Sequence, residues 1–364
     1  MILLNPGPVT LSARVRGALA GPDMCHREPE FATLQGEIRA RLLGVYALAP
    51  EDWSAVLLTG SGTAAVEAML ATLVPPGARL LVIENGVYGE RMSRMSAAHG
   101  IDVRRLSFGW GEPVDASTLA RALEEDAAIR QVAVVHHETT TGRLNDLGAI
   151  GDVCRACDVG LLVDAVSSFG AEAVGPERDA VTAVAATANK CLHGAPGACF
   201  VIARRRALAA EHASRTLYLD LRVYAEEQDR GGTPFTQAVP AFYALAEALR
   251  EFAGEGGWQA RRRRYREFAG AVAAGLEAAR VRPLLPEAAS SCVLRAWHLP
   301  PGLDYAALHD GLKARGFIIY AGQGTFAQRV FRISTMGAIA RADIDRFLSA
   351  FREVLEEHQP PGNV

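Results

Sequence analysis

Only two of the chain's 38 basic residues are lysines, and one of them stands where chemistry is possible. Lys313 lies in Tyr-Ala-Ala-Leu-His-Asp-Gly-Leu-Lys-Ala-Arg-Gly, a helical pattern stopping at Gly316, which is an ordinary place for a solvated last-turn cation. Lys190 instead follows the buried-looking run Ala-Val-Thr-Ala-Val-Ala-Ala-Thr and precedes Cys-Leu-His-Gly-Ala-Pro-Gly. An amine here can add to a carbonyl, which arginine cannot do because guanidinium stays protonated near neutral pH. Lys190 alone reads equally as a chance survivor of an arginine-biased composition, so its neighbours decide.

Asp164 ends the apolar run Val-Gly-Leu-Leu-Val-Asp and opens Ala-Val-Ser-Ser-Phe-Gly. A carboxylate at a buried strand tip needs a cation or good hydrogen bonds. A protonated pyridine nitrogen is one such cation, the pairing that lets pyridoxal phosphate act as an electron sink; an Asp capping the next turn is the plainer alternative. Gly60-Ser61-Gly62-Thr63 leads from a strand into a helix, where small residues and free N–H groups favour a phosphate. By itself the motif reads better as a turn with Thr63 as N-cap. Tyr88 follows another strand and can stack on a flat ring. His137-Glu138-Thr139-Thr140-Thr141-Gly142 closes a further strand with hydroxyls where an aldehyde-derived ring oxygen could be held. Adjacent His136 and His137 would face opposite sides of a strand and cannot share a metal, and no metal site is expected. Thr233 follows a Gly-Gly break and can reach a phosphate. Arg332, in Val-Phe-Arg-Ile-Ser, can fork onto an anionic substrate group, or be a surface ion pair.

The elements that must position these residues alternate. Strands are predicted at Trp53–Leu58, Arg79–Glu84, Val103–Leu106, Val132–His136, Gly160–Asp164, Ala180–Ala186 and Ala198–Ala203, with helices at Ala64–Leu73, Gly89–His99, Ala116–Glu125 and Leu147–Cys157. That rhythm predicts an α/β domain with a mainly parallel seven-stranded sheet sandwiched by helices, binding its ligand beyond the carboxyl ends of the strands. Long helices follow at 237–252 and up to 279. Strands at Ser291–Ala296, Phe317–Tyr320 and Val330–Ile333, with helices at Tyr305–Arg315 and Arg341–Leu355, form a small C-terminal α/β domain. The expected division is an N-terminal segment over 1–20 packing near the small domain, a large domain over 21–255 and a small one over 256–364. The tail after His358 is expected to fray.

With 364 residues, 49% hydrophobic and a net charge of −3, the chain has ample core and no nucleic-acid surface. The Arg261–Arg264 run sits beside Trp258, Tyr265 and Phe268 and reads as a solvated helix face. The start lacks a signal-peptide pattern and no apolar run reaches membrane-span length, so a cytoplasmic protein without membrane partners is expected. Six cysteines do not form a disulfide framework, and Cys154-x-x-Cys157 is read as structural.

Taken together, these motifs resemble the class V (fold-type I) pyridoxal-phosphate aminotransferases, most of all the branch that moves the amino group of 2-aminoethylphosphonate to pyruvate. The resemblance spans nearly the whole chain, from Leu4-Asn5-Pro6-Gly7-Pro8 through Gly60–Thr63, Gly86–Arg91, Glu138–Gly142, Asp164–Gly170 and Asn189–Gly197 to Phe331-Arg332-Ile333. It implies pyridoxal 5'-phosphate held covalently by Lys190, paired at its ring nitrogen with Asp164, stacked on Tyr88 and hydrogen-bonded near its ring oxygen by Thr139. It further implies a phosphate held by Ser61, Gly62 and Thr63, and a homodimer in which Thr233 reaches the neighbouring subunit's cofactor. Arg332 would bind the substrate acid. Cys25-His26-Arg27-Glu28 departs from the branch and is more like alanine–glyoxylate or serine–glyoxylate enzymes, so Arg27 is either a second anion contact or a structural ion pair. The alternative activities are such a glyoxylate transamination, or elimination of ammonia from a hydroxylated aminophosphonate.

Overall fold

The computed structural model describes residues 1–175, 180–210 and 213–358. Seven strands form one sheet in the order Trp53–Gly60, Gly197–Arg204, Val181–Thr187, Gly160–Asp164, Ile129–Val135, Arg79–Glu84, Asp102–Ser107. Gly197–Arg204 runs antiparallel to both neighbours, and every other pairing is parallel. Six strands therefore point their carboxyl ends the same way.

Strand alternation divides the core. Val56 and Leu58 face the helices Gly62–Leu73 and Val87–Ala98, while Ala55 and Leu57 face Pro29–Gly44 and Val239–Gly254. Both faces are covered, which explains why these strands read as continuous apolar runs rather than alternating ones.

Among the described residues four helices without a counterpart in the sequence reading appear, the short Arg205–Leu208 and then Ala13–Ala18, Pro29–Gly44 and Leu221–Asp229. Their signals are present. Pro29 occupies the first helical turn and Phe31, Leu34, Ile38 and Leu42 make a buried stripe at helical spacing. Asp220 caps the last by accepting the Arg222 amide hydrogen.

The smaller sheet is antiparallel: Leu294–His298, Val330–Ser334 and Tyr320–Ala321. The strand expected over Phe317–Tyr320 is split. Phe317–Ile318 pairs in parallel with Ile2–Leu3, whereas Tyr320–Ala321 pairs with the strand carrying Arg332. Fully buried Ile319 lies at the switch, in a core with Leu4, Trp297, Phe331, Phe347 and Phe351. The chain's first residues are thus part of this smaller core. The tail after His358 lies outside the described residues. Among the described residues no helix is long and apolar enough to cross a membrane, and no cluster of side chains could hold a metal ion.

Candidate active site

Asp164 closes its strand opposite Val135 and Ala185, at the edge where the parallel strands end. Its carboxylate is 7% exposed and accepts the Val166 amide hydrogen at 2.9 Å. Burial lifts its pKa to about 6, against the pull of that amide, Arg91 and Lys190. No cationic side chain is hydrogen-bonded to it among the described residues, so the buried acid has room for one more positive partner.

Lys190 follows the neighbouring strand Val181–Thr187, in a turn closed by the His193 amide on the Lys190 carbonyl. Burial lowers its pKa to about 8; Asp164 opposes that shift, and Arg332 and Arg91 add to it. Its Nζ donates to the Pro6 carbonyl of the N-terminal segment. Lys190 thus feels the charges of Asp164, Arg332 and Arg91, and Asp164 those of Arg91 and Lys190.

The helix Gly62–Leu73 starts beside the turn after Asp164. Ser61 is its N-cap, not Thr63, and no side chain caps it. Ser61 and Thr63 are exposed, so their hydroxyls and the free helix start are available to an anion. Gly62 is buried because a Cβ there would fall 2.7 Å from Val166 Cγ1, in the turn after Asp164. Gly62, Thr63, Tyr88, Arg91, Asp164 and Val166 line one cavity.

Tyr88 lies in the first turn of Val87–Ala98, with the Arg91 guanidinium 4.7 Å from its ring centroid. That helix start is fixed by fully buried Glu138. Its Oε2 accepts the Tyr88 amide at 3.1 Å, and its Oε1 accepts the Thr140 amide at 3.0 Å and the Thr140 hydroxyl at 2.6 Å. Burial raises the Glu138 pKa to about 6. Thr139 is buried between, and its carbonyl accepts from Arg332 Nη1 at 2.9 Å.

Arg332 is 3% exposed, which removes the surface ion-pair reading. Its guanidinium also donates to the Ala321 carbonyl at 2.8 Å and to Gln323 Oε1 at 3.3 Å. All three acceptors are neutral. Among the described residues no carboxylate pairs with it, leaving a desolvated cation whose pKa burial holds down.

Thr233 is buried at the far side of the sheet edge, its hydroxyl accepting from Gln237 Nε2 at 2.8 Å; Gln237 Oε1 in turn accepts from Thr59. Arg27 is exposed before Pro29–Gly44, and among the described residues no side-chain hydrogen bond or ion pair engages it. Cys154 is buried and its thiol is pushed up to about 12 by burial, consistent with packing rather than reactivity.

One expectation fails. Arg261 is not on a solvated face: it is 1% exposed, pairs with Glu255 at 2.8 Å, and donates to the Cys191 carbonyl at 2.6 Å. It lies over the Phe252 ring and fastens the Lys190 turn to the helix Gly257–Ala278. A run of four arginines hid it, because charge alone does not say which member of a helix faces inward. Sequence reasoning also missed Glu138, Arg91 and His193. His193 Nε2 meets the Tyr265 hydroxyl at 2.5 Å and accepts the Gly337 amide at 2.9 Å.

The donor set fits pyridoxal 5'-phosphate. A buried acid lacking a cation, a primary amine of lowered pKa and an uncapped helix start are what its ring nitrogen, aldehyde and phosphate require. A larger cavity of about 700 Å³ opens beside Tyr46, Phe252 and Trp258 but contains none of these residues.

Comparison with known proteins agrees with this geometry. A family model described as aminotransferase class-V matches residues 23–347. A 2-aminoethylphosphonate–pyruvate transaminase of Syntrophobacter fumaroxidans is 38% identical over 359 residues, 97% of this chain and 96% of the relative. Another from Burkholderia thailandensis is 39% identical over 342 residues, 93% of this chain and 92% of the relative. Among solved structures, an aspartate aminotransferase of Thermus thermophilus superposes with a TM-score of 0.89 at 30% identity, covering 99% of this chain and 100% of that one. An alanine–glyoxylate aminotransferase of Nostoc sp. gives a TM-score of 0.90 at 29% identity, covering 97% and 95%.

Proposed function

Because the chain belongs to the class-V aminotransferases, we propose that it moves the amino group of 2-aminoethylphosphonate to pyruvate, giving phosphonoacetaldehyde and alanine. The observation that carries this reading is Arg332: a buried guanidinium with neutral partners only, close enough for its charge to act on Lys190. Such a cation recovers its desolvation cost when an anion arrives. Its planar fork suits a phosphonate in one half-reaction and a carboxylate in the other.

Pyridoxal 5'-phosphate, when bound, supplies an aldehyde that takes up amines and a protonated ring that absorbs negative charge. Lys190 would hold it covalently, and Asp164 would keep its ring nitrogen protonated. Tyr88 would lie against the ring and Thr139 near its ring oxygen, with Ser61, Gly62 and Thr63 on its phosphate. Thr233 would reach the phosphate in the other copy of a cytoplasmic homodimer. Lys190, once free, would take the proton from the amine-bearing carbon of the donor and hold it for return. A pKa of about 8 suits an amine that must both accept and release a proton near neutral pH. Arg27 is assigned no step.

The test supplies 2-aminoethylphosphonate with and without pyruvate and measures alanine, ammonia and phosphonoacetaldehyde. Alanine and phosphonoacetaldehyde in equal amounts, only with pyruvate, are expected. Ammonia release without pyruvate would replace the proposal with an elimination.

A further inference from the structure

The N-terminal segment reaches the reacting amine. Pro6 offers its carbonyl to Lys190 Nζ, and Gly7 lies so close that a Cβ would meet Lys190 Cδ and Nζ at 2.8 Å and Cε at 2.9 Å. Gly7 has a φ of +109°, a conformation side-chain-bearing residues rarely adopt, so a side chain here would be strained and would push the end of Lys190 aside. Asn5 closes the turn by donating from Nδ2 to the Pro8 carbonyl at 3.0 Å. Its own Oδ1 is buried and has no partner among the described residues, an unusual state for an amide 3% exposed.

This turn is not loose chain. The Leu4 amide donates to the Ile318 carbonyl at 2.8 Å, and the Leu4 carbonyl accepts the Ser334 amide at 2.7 Å, two residues beyond Arg332. The Thr10 carbonyl accepts from Ala338 at 2.8 Å. One end is therefore tied to Ile318 and the strand Val330–Ser334 and the other to the segment just after that strand, while Lys190 follows a strand of the large sheet. The Pro6 carbonyl spans the two.

We infer that the turn Asn5–Pro8 is a positioning device for Lys190: the Pro6 carbonyl takes one N–H of the amine whenever Lys190 is released from the cofactor. The inference rests on the reading of Lys190 as the reacting amine. A primary amine on a four-carbon stem rotates freely, and one fixed N–H restricts where its lone pair can point. When Lys190 takes the proton of the amine-bearing carbon, that lone pair becomes the third N–H, and the ammonium keeps its bond to Pro6. The carbonyl thus supports the amine before and after the transfer. Gly7 permits the approach, and Asn5, bonded to the Pro8 carbonyl, closes the turn that carries Pro6.

The test compares the wild-type holoenzyme with Gly7→Ala and Asn5→Ala. It measures kcat, donor KM, the visible absorbance of bound cofactor, and the rate ratio for 2-aminoethylphosphonate deuterated at the amine-bearing carbon. The added methyl should lower kcat by about tenfold or more, since small misplacement of a reacting group is costly. The isotope ratio should rise as proton transfer becomes limiting, with cofactor absorbance and donor KM within about twofold of wild type. Asn5→Ala, which adds no atoms, should move the same quantities less far; if Gly7→Ala does not fold, it decides alone. An unchanged isotope ratio overturns the inference, as does a fall in activity accompanied by lost cofactor absorbance. Lys190→Ala is the separate control: turnover surviving there sinks the reading of Lys190 itself and not merely its support.

Discussion

At the scale of single residues, the site consists of charges held where they are uncomfortable. Burial lowers the Lys190 pKa to about 8 and raises that of Asp164 to about 6. The unfolded chain binds a lysine proton up to about 10.5, so between about 8 and 10.5 it holds more protons than the folded one. Stability therefore rises with pH across that window, and the penalty is fully present below it. Lys190→Met should stabilise the cofactor-free protein by about 2 kcal/mol at pH 7, an advantage that shrinks toward pH 10 in urea unfolding. The same variant, like Lys190→Arg, should abolish transamination. Asp164→Asn leaves size and packing alone but removes the charge; kcat should fall by roughly a hundredfold or more, read in steady-state assays at saturating cofactor. For Arg332→Lys, the loss should fall mainly on KM for both the phosphonate and the keto acid, because a point charge replaces a planar fork.

Among elements, the Lys190 turn depends on the helix Gly257–Ala278. Arg261 holds the Cys191 carbonyl, and Tyr265 shares His193 Nε2 with the Gly337 amide. To accept that amide, His193 must be neutral at Nε2, and burial holds its pKa well below 6.5. Arg261→Ala leaves Glu255 to Arg264 alone, at 3.3 Å, and unpairs the buried Cys191 carbonyl, for an expected loss of about 1–3 kcal/mol in chemical denaturation. His193→Phe should cost about 1–3 kcal/mol by orphaning two buried donors, while His193→Gln, which keeps an acceptor, should lose less. The same elements show where sequence reading works. The strands carrying Asp164 and Arg332 were legible because each is a short apolar run ending in a polar residue. The supports were not legible, since Arg261 sits 71 residues from Lys190 and nothing local marks their contact.

For the whole molecule, acid should act through buried histidines. His136 and His137 are held at about 4, and His193 is held low as well, all chiefly by burial. Their ordinary value is near 6.5, so below it the unfolded chain takes up protons that the folded one refuses. Stability contributed by the neutral rings is complete above about 6.5, and declines as pH falls toward 4. A denaturation midpoint that stays constant from pH 7 to 4.5 would contradict this. Assembly is tested separately. If Thr233 serves the other copy's cofactor, sedimentation should report a dimer, and Thr233→Val should weaken cofactor affinity by about tenfold, near 1.4 kcal/mol.

The sequence by itself determined the α/β rhythm and the family, and it marked Lys190, Asp164 and the turn Gly60–Thr63 as the residues proposed to hold the cofactor, because each is written in residue type and short-range spacing. It could not decide that Arg332 is buried with no carboxylate partner among the described residues, that Glu138 pins the start of the Tyr88 helix, or that Pro6 and Gly7 lie against Lys190. Those are contacts between segments far apart in the chain. Only packing brings them together, and only packing removes the water that makes each charge matter.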